Sequence, residues 1–181
     1  VDFDREPLIP FMFSTEGPAL AKGDFNSDGH EDIFIGSSKW QKSSIFTQQP
    51  NGAFIKSSQP ALDFDSTYED VDAIWVDVNK DSFLDLIVVS GGNEFYGIND
   101  NLKPRVYIND GNNKLVKKPD AFSNVLLTAS TVVADDFNND GNVDLFIGAR
   151  VVPWEYGKIP DSYLLQYDGA GKFTDVTTTL A

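Results

Sequence analysis

The chain has 181 residues, 41% of them hydrophobic, with fourteen Phe and three Trp, enough apolar material for a sizeable core in one domain or one large fragment. Its 28 acidic residues against 14 basic ones leave a net charge of −14, which excludes nucleic acid and anionic membrane as natural partners. With no Cys and a single His, disulfides, zinc–thiolate sites and cysteine nucleophiles are excluded together, and little conventional catalytic equipment remains.

The absence of Cys fits a bacterial envelope or secreted protein at least as well as a cytosolic one. No apolar run reaches the ~18 residues needed to cross a membrane. The opening at Val1 lacks the basic and apolar regions of a signal peptide, and a start without Met points to a processed or excised chain. The first segment, 1–16, is expected to carry an edge strand at 11–13, with Pro7 and Pro10 setting its start.

Next comes a stretch that occurs three times: GDFNSDGHEDIFIG at 23–36, VDVNKDSFLDLIVV at 76–89 and DDFNNDGNVDLFIG at 135–148. The shared pattern is Asp-x-Asn-x-Asp-Gly-x-x-Asp followed by an apolar run. Carboxylates and an amide on alternate positions repel or waste one another unless a cation gathers them. Hard oxygens at positions 1, 3, 5 and 9, with a carbonyl at 7, describe a calcium loop, and the Gly at position 6 supplies a positive φ. An EF-hand is excluded, because it needs a bidentate Glu at position 12 and flanking helices. Position 12 here is Ile35, Val88 and Ile147, inside runs that favour strand.

Around each loop the same order of elements recurs. A first strand enters (ALAKGD, DAIWVD, TVVADD) and a second leaves (DIFIGS, DLIVVS, DLFIGA). A third follows at 43–48, 105–110 and 162–167, then a tight Asn-Gly or Asp-Gly turn, then a fourth strand (AFIKSS, KLVKKP, KFTDVT). Four antiparallel strands in a unit of about 50–60 residues make one β-propeller blade. The blades are expected at about 17–60, 69–119 and 129–178 of a single all-β domain over 1–181. The unbroken apolar second strands predict that both faces of a blade are covered.

These motifs, above all EGPALAKGDFNSDGHEDIFIG, resemble the FG-GAP/VCBS repeats of integrin α-subunit propellers and of many bacterial secreted proteins. The resemblance implies a calcium-binding propeller, usually seven-bladed and extracellular, on the cell surface or periplasmic. Three blades would then be part of a larger ring, completed by further blades or other chains. It implies up to three Ca²⁺ ions. Side-chain ligands would be Asp24, Asn26, Asp28 and Asp32 in the first loop and Asp77, Asn79, Asp81 and Asp85 in the second. The third loop would supply Asp136, Asn138, Asp140 and Asp144. His30, Phe83 and Asn142 would offer backbone carbonyls. The second loop departs from the pattern with Ser82 at the turn position, which predicts a weaker or bent site.

With four side-chain oxygens and a carbonyl per loop, calcium reads as structural rather than catalytic. Ligand binding is expected at the opposite end, where the loops between second and third strands carry Trp40, Phe95, Tyr96, Trp154 and Tyr156. Polar companions there are Lys39, Lys42, Asn93, Glu94, Arg150 and Glu155, whereas Trp75 lies inside an apolar strand and reads as core. Aromatics with a few polar groups suit a protein or a glycan, and equally suit loops that pack their own small clusters. The function expected is a noncatalytic, calcium-stabilised binding or scaffold module. The alternative is part of the propeller of a secreted carbohydrate-active enzyme, a polysaccharide lyase or hydrolase.

Overall fold

Alternating apolar residues and Gly- or Asn-centred turns produce twelve strands among the residues that the computed structural model describes, 2–180. Val1 and Ala181, the ends of the expected domain, lie outside the described residues. The strands form three antiparallel sheets of four, each following chain order. The first blade is β1 (Leu20–Gly23), β2 (Asp32–Ile35), β3 (Ser44–Gln48) and β4 (Phe54–Ser57). The second is β5 (Asp70–Val76), β6 (Asp85–Ser90), β7 (Arg105–Asn109) and β8 (Leu115–Lys117). The third is β9 (Thr128–Asp135), β10 (Asp144–Val151), β11 (Tyr163–Tyr167) and β12 (Phe173–Asp175).

The pleat sends neighbouring side chains to opposite faces, and in β6 both faces are used. Leu86 and Val88 join Trp75 and Tyr107 against Ala21, Phe34 and Ile45 of the first blade. Ile87 and Val89 join Val106 against Val132, Leu145, Ile147 and Leu165 of the third. Trp75 is core, as its strand position implied, and its indole Nε1 donates to Ala21 O at 3.4 Å. All six β6 residues are buried, but this coverage does not extend to the outer blades. Ile35 in β2 and Phe146 in β10 are exposed, because a terminal blade has a neighbour on one side only.

Polar contacts fix the stacking. Asp72 Oδ2 in β5 accepts from Val132 N at 2.8 Å and Thr131 Oγ1 at 2.9 Å in β9. Between the first two blades Asp70 accepts from Ser43 and from Arg105, which also donates to Ser90 Oγ at 3.1 Å and Tyr107 Oη at 3.2 Å. Arg105 is buried, and Tyr107, Asp70 and Asp65 hold its proton more firmly than usual against the opposing cost of burial.

The N-terminal segment differs from the strand expected at 11–13. It forms a short helix α1 (Asp2–Arg5), and Phe13 opens a 3-10 turn at Phe13–Thr15. Phe13 and Ile9 are buried with Val151 of the third blade, and Asp2 Oδ2 accepts from Ser14 N at 2.9 Å. Side-chain bonds inside the segment and apolar anchors outside it take the place of ladder pairing. Two further single-turn helices, α2 (Pro60–Asp63) and α3 (Thr177–Leu180), follow the last strands of the first and third blades.

Candidate metal loops and the opposite rim

The three acidic loops join the first and second strands of their blades, and the same hydrogen bonds wind each one. The position 1 carboxylate takes two backbone N–H groups. Asp24 accepts from Asp28 N at 3.0 Å and Gly29 N at 2.9 Å. Asp77 accepts from Asp81 N at 3.1 Å and Ser82 N at 2.8 Å, and Asp136 from Asp140 N at 3.1 Å and Gly141 N at 2.8 Å. The amides of Asn26, Asn79 and Asn138 accept from the position 5 N–H and donate to the position 5 carboxylate. Asp28, Asp81 and Asp140 in turn accept from the N–H groups of His30, Phe83 and Asn142 at 2.9, 2.9 and 2.8 Å.

This winding needs two left-handed residues per loop. Position 4 is left-handed in Ser27, Lys80 and Asn139, and position 6 in Gly29, Ser82 and Gly141 at φ 85°, 73° and 84°. The bend expected at Ser82 is absent: the serine takes the glycine conformation and keeps every loop bond. The sequence pattern gave no sign of the left-handed residue at position 4.

Asp32, Asp85 and Asp144 at position 9 are buried at the start of the second strand. One oxygen of each accepts from the third strand, from Gln48 N at 2.9 Å, Asn109 N at 2.8 Å and Tyr167 N at 2.9 Å. The other accepts from Phe25 N in the first loop and Val78 N in the second, and in the third the Asp144 carboxyl faces the equivalent Phe137 N–H. Burial, then the neighbouring loop carboxylates, push all three upward from the usual carboxylate range, Asp85 to about 6. As placed, no three Asp, Glu or His side chains among the described residues converge at ligating distance. The donor chemistry nevertheless fits a hard divalent cation: oxygen only, with three carboxylates per loop.

The opposite end carries the aromatics, in two groups. Lys39 sits over Phe95 and Trp40, with Nζ 4.4 and 5.4 Å from the ring centroids, bridging the first and second blades. Tyr96 and Trp154 stack at 3.8 Å across the second and third blades. This pair lines an open cleft of about 490 Å³ with Leu127, Val152, Pro160 and Tyr163, and Trp40, Phe95 and Tyr156 lie outside it. Trp40, Tyr96, Trp154 and Tyr156 are exposed, and Phe95 is half-buried. Both tryptophans have positive φ, 68° and 67°, strained for a bulky residue. Trp40 is held by its N–H to Ser66 O at 2.6 Å and Trp154 by Nε1 to Asn93 O at 2.9 Å.

Among the polar companions, Lys42 pairs with Asp63 at 3.1 Å, Glu155 with Lys158, and Arg150 with Glu16. Asn93 is not an exposed companion but wholly buried, the centre of a cluster with Arg5, Glu6, Glu69 and Glu94. Of these, Arg5, Glu6 and Glu69 escaped sequence reasoning. Each lies in a stretch with no motif, and only the fold brings residues 87 and 88 positions apart into contact.

Residues 24–88, from the first loop to the second strand of the second blade, match the family model described as an FG-GAP-like repeat. The third loop, outside that stretch, repeats the same hydrogen bonds. No curated protein matches the chain.

Proposed function

We propose that the chain is a noncatalytic, calcium-stabilised binding module that works outside the cytoplasm, at the cell surface or in the periplasm. The observation that carries this reading is the threefold repetition of one acidic loop, with the same bonds at positions 1, 3 and 5 and a buried carboxylate at its base. Asp24, Asn26, Asp28 and Asp32 would hold the first ion, with the His30 carbonyl. Asp77, Asn79, Asp81, Asp85 and the Phe83 carbonyl would hold the second. Asp136, Asn138, Asp140, Asp144 and the Asn142 carbonyl would hold the third. A bound ion supplies charge neutralisation, which lifts the repulsion that the position 9 residues feel from their own loops.

Of the two ligand classes that the aromatics suggest, a protein is favoured over a glycan. A sugar stacks on a free flat ring face, but Trp154 has Tyr96 stacked upon it and the Arg5 guanidinium 5.5 Å from its centroid. Lys39 takes ring surface from Phe95 and Trp40 in the same way. What the rim leaves open is a broad apolar border, with Ile98 and Ile159 almost fully exposed beside Tyr96 and Tyr156, the composition of a protein-docking surface. Trp154→Ala is expected to weaken capture of a protein partner at least about tenfold, as an anchor in a docking patch does. A glycan array that binds through Trp154 would reverse that choice.

The metal reading is tested by stripping the protein with chelator and titrating it with Ca²⁺ while following heat and melting temperature. Binding is expected in the ~10⁻⁴–10⁻³ M range of extracellular modules, with a rise in melting temperature by mass action. Asp28→Ala and Asp140→Ala should each remove one binding event. A melting curve indifferent to both chelator and calcium would refute the reading.

A further inference from the structure

Glu69 stands just before β5 and Glu94 in the loop after β6, and a carboxyl oxygen of each closes on Gly92. Gly92 passes beneath both: a Cβ there would lie 2.6 Å from Glu69 Oε2 and 2.8 Å from Glu94 Oε2, so both carboxyl oxygens crowd one point of the backbone. Glu69 is buried, and its Oε1 has no partner among the described residues. Asp2 from α1 and Glu16 at the end of the 3-10 turn add further negative charge from the N-terminal segment. The cations nearby are engaged elsewhere, Arg5 by Asn93 O and the Trp154 ring, Arg150 by Glu16. Glu6, also buried, accepts from Asn93 Nδ2 at 2.6 Å, and its second oxygen is an orphan too. Glu69, buried and facing the half-buried Glu94 carboxyl across Gly92 amid this much negative charge, keeps its proton.

Asn93 connects the pair to everything else at this end. Its N–H donates to Glu94 Oε2 at 3.2 Å and its amide to Glu6. Its carbonyl accepts from Arg5 Nη1 at 3.1 Å and from Trp154 Nε1 at 2.9 Å. One residue therefore ties Glu94 to the N-terminal segment and to the aromatic rim. We propose that Glu69 holds a proton toward the Glu94 carboxyl, and that this proton latches segment 2–16 and the Trp154 ring in place through Asn93. Loss of the proton to solvent leaves two facing carboxylates. Their repulsion drives Glu94 from the Asn93 N–H and loosens both the segment and the rim.

Burial first, then Glu94, Asp2 and Glu16, push Glu69 up to about 8 from an ordinary value of 4.5. Between those values the folded chain holds a proton that the unfolded chain has released. The latch is therefore fully set at low pH, weakens as pH rises, and opens in the mildly alkaline range. The consequence for partner binding rests on the rim being the ligand face, but the latch itself is read without any ligand.

The test follows tryptophan emission and amide hydrogen exchange of segment 2–16 in the full chain from pH 6 to 9, with exchange rates corrected for their intrinsic pH dependence. A one-proton transition near pH 8 is expected, with protection of the segment falling by about tenfold or more. Trp154→Phe should remove the emission change and leave the exchange change. Glu69→Gln keeps a donor to Glu94 without a titrating group, and should hold the segment protected across the range. If Glu69→Gln does not fold, Glu94→Gln removes the facing charge and should move the transition to lower pH, and an unmoved transition overturns the latch. A wild-type profile flat from pH 6 to 9, or a transition that survives Glu69→Gln, overturns the latch. A flat profile in a protein whose partner binding still depends on Trp154 sinks the latch alone. A clear transition in a protein that binds nothing at the rim sinks only the ligand reading.

Discussion

Ser82 is a serine in a glycine's conformation, held at φ 73° by the same N–H bond to Asp77 that Gly29 and Gly141 make in their loops. A left-handed backbone costs a residue with a Cβ roughly 1–2 kcal/mol, while glycine costs about 0.5–1 kcal/mol in lost freedom of the unfolded chain. The first effect is the larger, so Ser82→Gly should stabilise the protein by about 0.5–1 kcal/mol in urea unfolding. It should also tighten calcium at the second loop, because less strain then opposes the wound form. Equal or lower stability in the glycine variant would mean that the Ser82 side chain has a compensating role. The loop was legible at this scale because acids on alternate positions followed by an apolar run form a local pattern. Arg105 was not: it reads as an ordinary strand residue, and its partner Asp70 is 35 positions away, on β5 of the same blade, two strands over.

The strands were legible in the sequence for a related reason. Hairpin turns such as Asn51-Gly52 and Asp110-Gly111 are short-range signals, and the unbroken apolar runs of β2, β6 and β10 mark the second strand of each blade. Position 9 adds a device that only the three-dimensional arrangement reveals. By accepting from Gln48, Asn109 and Tyr167, the aspartates at the start of β2, β6 and β10 brace the loop against β3, β7 and β11. The acids therefore organise the blade in their own right, and a cation would reinforce an architecture that the backbone N–H groups already hold. The N-terminal segment was misread because Phe11 and Phe13 flanked by prolines suit an edge strand equally well. What decides against a strand is the pocket that buries Ile9 and Phe13 against Val151, together with the Asp2 carboxylate that claims the Ser14 N–H. At the aromatic end the sequence placed the rings on equivalent loops, but their pairing depends on side-chain reach between blades, and so they fell into two groups.

At the scale of the molecule, the middle blade shows what the outer two lack. Its residues reach both cores, whereas the first blade turns Leu20, Ile35 and Phe54 to solvent and the third turns out Val133 and Phe146. Leu20 pairs with Ile35, and Phe146 with both Val133 and Leu164, so these are contiguous apolar rows rather than scattered residues. Burying each such side chain fully is worth about 1.5–3 kcal/mol, and the internal blade interfaces demonstrate the surface that satisfies them. The resemblance to propeller repeats implies that further blades or other chains would cover these rows. This 181-residue chain by itself is then expected to self-associate with rising concentration in sedimentation experiments. Leu20→Lys and Phe146→Lys should each shift it toward monomer. Both residues point away from the cores, so neither substitution should lower the melting temperature by more than a few degrees, the scale of a change below about 1 kcal/mol. Sedimentation as a monomer at every concentration reached would show that the rows tolerate water without a partner. Unfolding on Phe146→Lys would show instead that this face is part of the third blade's own core.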